Sequence, residues 1–164
     1  MSIVLYRIDE RLIHGQVVVG WGSQLHPDRI IVVDDQLAGS DWEQELYTLG
    51  LPADLASEFQ SVADARDHLS AWDAAADRTI LLTRDIATMR RIADGGTLRG
   101  VEVNLGGIHH APGRRPVLPY LYLSEADFCE LDQLAHDGVI VSARDLPAGR
   151  RVEAQELAPI ERRA

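Results

Sequence analysis

Short β-branched runs alternate along the chain with apolar residues spaced three and four apart. The runs predict strands near Ile3–Ile8, Arg29–Asp34, Ala56–Gln60, Thr79–Thr83, Gly100–Leu105, Val117–Leu123 and Val139–Val141. Helical spacing groups Val17, Val18, Trp21 and Leu25, then Trp42, Leu46 and Leu49, then Val62, Ala65, Leu69 and Trp72, then Phe128, Leu131 and Leu134. Another helix is expected from about Ile86 to Ala93, stopped by Gly95-Gly96. Ser40-Asp41-Trp42-Glu43 reads as a capping box, Ser61-Val62-Ala63-Asp64 and Ser124-Glu125-Ala126-Asp127 as further helix starts, and Gly138 as a helix end. All three tryptophans are expected in the core. Residues Ala148 to Ala164 show little periodicity and predict a short final helix or a loose tail. Strand and helix patterns in alternation predict an α/β fold: a single open, mostly parallel twisted sheet of about seven strands, flanked by helices on both faces, in one domain over residues 1–164.

Composition narrows the chemistry. With 46% hydrophobic and 26% charged residues the chain is globular in type. No apolar run approaches the roughly 20 residues of a membrane span, and no signal-peptide pattern precedes the first strand, so a cytoplasmic protein is expected. A net charge of −10 argues against nucleic acid as a partner. All 16 basic residues are arginines, which excludes mechanisms that need a lysine, among them the phosphate-binding loop of NTPases and a pyridoxal Schiff base. The lone Cys129 cannot form an internal disulfide and falls on the apolar side of its helix pattern. No cofactor and no metal are expected; adjacent His109 and His110 point different ways and read as an exposed loop.

Chemistry concentrates where the first strand gives way to the first helix. Arg7-Ile8-Asp9-Glu10-Arg11-Leu12-Ile13-His14-Gly15-Gln16 places His14 at a strand-to-helix turn, where unpaired amides and the helix dipole favour an anion. Neutral imidazole is a good nucleophile toward phosphorus. Arg11 can offer a bidentate fork to phosphoryl oxygens, and Gly15 and Gln16 supply the first helix positions. Asp9 can accept from the imidazole, fixing its tautomer, or from Arg11, fixing the guanidinium; the residues alone leave both open. In such a sheet, ligands sit beyond the carboxyl ends of strands, which also draws in Asp34-Asp35, Thr83 and Gly106-Gly107. Thr83 would neighbour His14 if the fourth strand lies beside the first, and its hydroxyl then either reaches a phosphoryl oxygen or serves a turn. Asp34-Asp35 reads as helix capping, and the glycine pair as a close backbone approach or a tight turn.

The run from Arg7 to Val17 resembles the phosphorylation-site signature of the IIB subunits of the mannose/fructose/sorbose class of the bacterial sugar phosphotransferase system. The resemblance continues through Arg29-Ile30-Ile31-Val32-Val33-Asp34-Asp35, Thr79-Ile80-Leu81-Leu82-Thr83, Ile92-Ala93-Asp94-Gly95-Gly96 and Val103-Asn104-Leu105-Gly106-Gly107, so it covers most of the chain in order. It implies that His14 is the phospho-acceptor, with Arg11 as phosphate partner and Asp9 as its neighbour. It further implies a relay from a IIA protein or domain, through Nδ1 of His14, to the 6-hydroxyl of a hexose held by membrane IIC and IID subunits. The chain would then be cytoplasmic and peripherally associated with the inner membrane through IIC and IID; a homodimer is left open. Two departures bear on partner or sugar specificity: Arg84-Asp85 stand where members usually carry Asn-Pro, and the loop His109 to Arg115 is unusual. The face around His14 must admit two partners in succession, so Leu12 and Ile13 are expected to be partly exposed. Contact with IIA is expected around residues 9 to 16 and the loop after Gly107.

Rival readings are weaker. Gly15, Gly20 and Gly22 are spaced wrongly for a dinucleotide loop, and Val32-Val33-Asp34-Asp35 lacks the lysine of a receiver domain. A phosphorylation-dependent regulator derived from a IIB subunit is the remaining alternative.

Overall fold

The computed structural model describes residues 1–162; Arg163 and Ala164, the end of the segment expected as helix or tail, lie outside the described residues. Seven strands form one sheet in the order β3-β2-β4-β1-β5-β8-β9, with β1 at Ile3–Ile8, β2 at Arg29–Val33, β3 at Ala56–Gln60, β4 at Thr79–Thr83, β5 at Glu102–Leu105, β8 at Ile140–Ala143 and β9 at Val152–Glu153. All pairings are parallel except β8 with β9. The central strands are apolar at successive residues because both faces are covered. Ile31, Val33 and Leu81 enter one core with Val62, Leu69, Met89 and Ile92, whereas Ile30, Val32, Ile80 and Leu82 enter a second with Leu12, Val17 and Leu37.

Helix α1 is wound as a π-helix over Gln16–Trp21 and continues as an α-helix over Gly22–Leu25. It is followed by α2 (Asp35–Ala38), α3 (Asp41–Thr48), α4 (Val62–Ala74), α5 (Ile86–Ala93) and α6 (Glu125–His136). The inward face of α4 is the expected one, with Val62, Ala65, Leu69 and Trp72 buried. Helix α5 spans the expected residues and gives way to Gly95 and Gly96 at φ of 74° and 83°, a conformation that favours glycine.

Six expectations need correction. The strand expected over Val117–Leu123 is a hairpin outside the main sheet, β6 (Arg115–Leu118) with β7 (Leu121–Leu123). Pro116 and Pro119 lack N–H donors and suit such an edge rather than an interior strand. The seventh strand is instead β9, drawn from the segment expected as helix or tail. Trp21 and Trp72 are buried, but Trp42, Leu46 and Leu49 of the α3 region are 66%, 60% and 81% exposed. That helix is tied down by its other side, where the Gln44 amide donates to the Leu37 and Ala38 carbonyls and Tyr47 meets Phe59. Its Ser40 makes no capping hydrogen bond, whereas Ser61 caps α4 and Ser124 and Asp127 form a capping box on α6. Cys129 is exposed, because the sheet-facing side of α6 is set by Leu134 and the flanking Phe128 and Leu131. Finally, Leu12 is fully buried rather than partly exposed; Ile13 is half-buried.

Candidate functional site

The site is built on the loop between β1 and α1. Parallel pairing of β1 with β4 and β5 sets Ile8 beside Thr83 and Leu105, so the loop leaves the sheet between two neighbouring strand ends. The Asp9 N–H donates to the Thr83 carbonyl and the Glu10 N–H to that of Gly107, at 2.9 Å each. Leu12 then turns at φ 56°, a left-handed conformation rare for a branched residue. Its side chain is seated among Val17, Ile30 and Leu82, and this packing holds the turn. The His14 carbonyl next accepts from the Val17 and Val18 amides, opening α1.

The imidazole faces a buried carboxylate. Nε2 of His14 lies 3.0 Å from Asp9 Oδ2, with no aligned hydrogen bond at that nitrogen. Asp9 meets the ring at Nε2 and not at Nδ1, and the ring borders an open groove. Asp9 is fully buried, and of the two partners open to it, the imidazole is the one observed. The Arg11 guanidinium bonds the Gln16 side-chain oxygen at 3.2 Å instead; only the Arg11 backbone N–H reaches Asp9, at Oδ1, 3.1 Å away.

Arg7 takes the place beside Asp9 that local spacing offers to Arg11. Fully buried, it directs Nε and Nη2 to Asp9 Oδ2 at 3.2 and 3.0 Å, donates to the Asn104 side chain and the Arg144 and Asp145 carbonyls, and lies 5.4 Å from the centre of the Trp21 ring. Burial would raise the Asp9 carboxyl, but the His14 contact, the Arg7 charge and the Arg11 amide outweigh it and hold the group below its ordinary value. Burial likewise lowers Arg7, opposed by the Asp9 charge. Arg7 was legible in one respect: an arginine within a strand expected to be buried on both faces demands a partner.

The first glycine of the Gly106-Gly107 pair makes a close approach. A Cβ at Gly106 would stand 2.4 Å from Arg7 Cζ, so that position requires glycine for a close approach of backbone to guanidinium. Gly15 has open space around its Cα and leaves its side of the groove uncovered. Thr83 does neighbour the loop, but its hydroxyl donates to the Asp85 carbonyl at 3.0 Å. Asp34 caps α2 through the Leu37 amide and pairs with Arg84, while Asp35 accepts from the Val62 amide and pairs with Arg91. Asp85 caps α5. His109 and His110 are exposed, and the loop is anchored to the site by Glu10, which accepts from the His109 amide at 2.7 Å and from Arg114 at 3.2 Å.

No helix among the described residues is long and apolar enough to cross a membrane. Comparison with known proteins places this geometry. Residues 3–163 match the family model of the sorbose-subfamily IIB component of the phosphotransferase system. The N-acetylgalactosamine-specific phosphotransferase enzyme IIB component 1 of Escherichia coli is 30% identical over 160 residues, covering 92% of this chain and 94% of the relative. The mannose-specific EIIAB component of the same organism is 29% identical over 157 residues; the match spans 96% of this chain but 48% of that longer protein. Among solved structures, an N-acetylgalactosamine IIB component from Streptococcus pyogenes superposes with a TM-score of 0.84 at 27% identity, covering 95% of this chain and 97% of that one. The chain belongs to the sorbose-subfamily IIB components of the phosphotransferase system, phosphotransferases of sugar uptake.

Proposed function

We propose that His14 is the phospho-acceptor and that Nδ1 is the atom phosphorylated. The observation that carries this reading is the division between the two ring nitrogens: Nε2 is the one that meets buried Asp9, at 3.0 Å, and Nδ1 is the one the carboxylate does not engage. A carboxylate beside Nε2 favours the tautomer with the proton there, which leaves the lone pair on Nδ1. In the first transfer, Nδ1 attacks phosphorus as the P–N bond of the donor phosphohistidine breaks. The ring then carries positive charge, which Asp9 stabilises. In the second transfer a sugar hydroxyl oxygen attacks, the bond to Nδ1 breaks, the hydroxyl proton leaves, and His14 returns to neutrality. Such transfers depend mainly on positioning and charge stabilisation. Arg11, with Gln16 holding its guanidinium, and the amides of Gly15 and Gln16 supply donors beside His14. Thr83, whose hydroxyl is engaged, keeps a supporting role in the loop.

The donor in this reading is a IIA protein or domain, a pairing supported by the fused EIIAB relative. The acceptor is a hexose held by membrane IIC and IID, so the chain works at the cytoplasmic face of the membrane through those partners. The test is incubation with phosphorylated general carrier and IIA, followed by mass spectrometry. Acid-labile, alkali-stable phosphate on His14, absent in His14→Ala, is expected; label retained in His14→Ala would overturn the assignment.

A further inference from the structure

One flank of His14 is apolar and uncovered. Ile13, Val18, Val19, Trp42, Leu46 and Tyr47 line a groove of about 540 Å³ that ends at His14. Val19, Trp42 and Leu46 are 68%, 66% and 60% exposed, and Leu49 extends the surface. Contiguous exposed apolar surface of this kind marks an interaction site rather than ordinary surface variation. Among the described residues lining the groove, Glu43 carries an acidic charge, and Asp41 and Glu45 lie on the same helix. The nearby guanidinium, Arg84, is engaged by Asp34 at 3.1 Å.

We propose that this groove seats the membrane partner, an apolar segment of its cytosolic face ringed by Lys and Arg, while IIA charges His14 from the surface around residues 9 to 16 and the loop after Gly107. Two arguments select this occupant. Cytosolic loops of integral membrane proteins carry an excess of Lys and Arg, the complement of an acidic rim on a chain of net charge −10. The groove also shares only Ile13, His14 and Gly15 with the surface assigned to IIA, so the two partners can use different anchors and still reach one imidazole. An exposed tryptophan beside leucine is the composition expected of such an anchor.

This inference rests on the phosphocarrier reading, and the experiment separates the two. Wild type, Trp42→Ser, Leu46→Ser and the double variant are charged with labelled phosphate through IIA, then mixed with inverted membrane vesicles containing the IIC–IID pair and sugar. Charging is expected to be unchanged. The vesicle concentration for half-maximal discharge should rise by about tenfold or more in the double variant, with the maximal rate retained, and discharge by wild type should weaken with salt. Equal discharge by all four proteins would overturn the proposal, as would loss of charging in place of discharge, which would assign the groove to IIA. If wild type itself failed to discharge, the transport reading would fall. Cosedimentation of uncharged protein with the same vesicles would then decide the groove, wild type binding and the double variant not if it is the seat, and both binding alike if it is not.

Discussion

The inner and outer sides of the His14 loop are built from opposite materials. On the inner side Arg7, Asp9 and Asn104 are buried and joined by charge-assisted hydrogen bonds, with the Arg144 and Asp145 carbonyls completing the guanidinium's partners. On the outer side Val19, Trp42 and Leu46 are exposed and mostly apolar, and their side chains make no hydrogen bonds among the described residues. The inner side restrains one ring nitrogen and resists movement, because breaking a buried charge network is costly. The outer side costs the fold little to change and is free to be read by a partner. In the proposed relay, reaction geometry and partner recognition meet at one imidazole from different directions.

The sharpest way to break that contrast is to cut the inner network. Arg7→Met leaves Asp9 buried without its strongest positive neighbour, and the melting free energy should fall by about 3–5 kcal/mol, with phosphorylation of His14 lost; calorimetry and a charging assay check both. Acid does the same reversibly. Asp9 has a folded value below its ordinary one, so its contribution is fully present above the unfolded carboxylate value, about pH 4, and is lost as pH falls through the folded value. In Asp9→Asn that acid-dependent part of the stability curve should be missing; an identical curve would mean that Asp9 is not the linked group.

Gly106→Ala is expected to cost about 1–3 kcal/mol, because the added methyl and the Arg7 guanidinium claim the same space. Transfer should fall with it. Arg11→Lys should slow transfer by about ten- to a hundredfold, on the order of 1.4–2.7 kcal/mol in the barrier, while melting stays normal, since Arg11 is exposed and, among the described residues, bonds Gln16 through its side chain and Asp9 through its backbone. Stopped-flow transfer from phospho-IIA measures this, and an unchanged rate would remove Arg11 from the phosphate site. The smallest effect on the fold is expected on the outer side, where Trp42→Ser should alter stability by less than about 0.5 kcal/mol; a larger loss in chemical denaturation would mean that Trp42 supports the core.

The candidate phospho-acceptor stands out in the sequence because it is defined locally: a histidine between charged residues and a glycine, where a strand pattern turns helical. The placement of β4 beside β1, which the sequence offered only as a condition for bringing Thr83 near His14, is met. The guanidinium partner of Asp9 was not legible from spacing forward of Asp9, because it is chosen across the sheet. Arg7 stands in register with Asn104 of β5, ninety-seven residues away, and Gly106 leaves the space that the guanidinium fills. Helical periodicity likewise identified the stripe of Trp42, Leu46 and Leu49 but not what lies opposite it; an amphipathic pattern names a face, and tertiary contacts decide whether the core or solvent meets it. The two-residue β9 is too short to carry a pattern of its own.

In the proposed phosphocarrier reading, Asp9 occupies one nitrogen of His14 so that the other reacts. Heteronuclear NMR of ¹⁵N-histidine-labelled protein, charged through IIA, tests it most directly by coupling the phosphorus to a specific ring nitrogen of His14. Phosphorus on Nδ1, with the proton on Nε2 retained beside Asp9, is the predicted result; phosphorus on Nε2 would contradict the account.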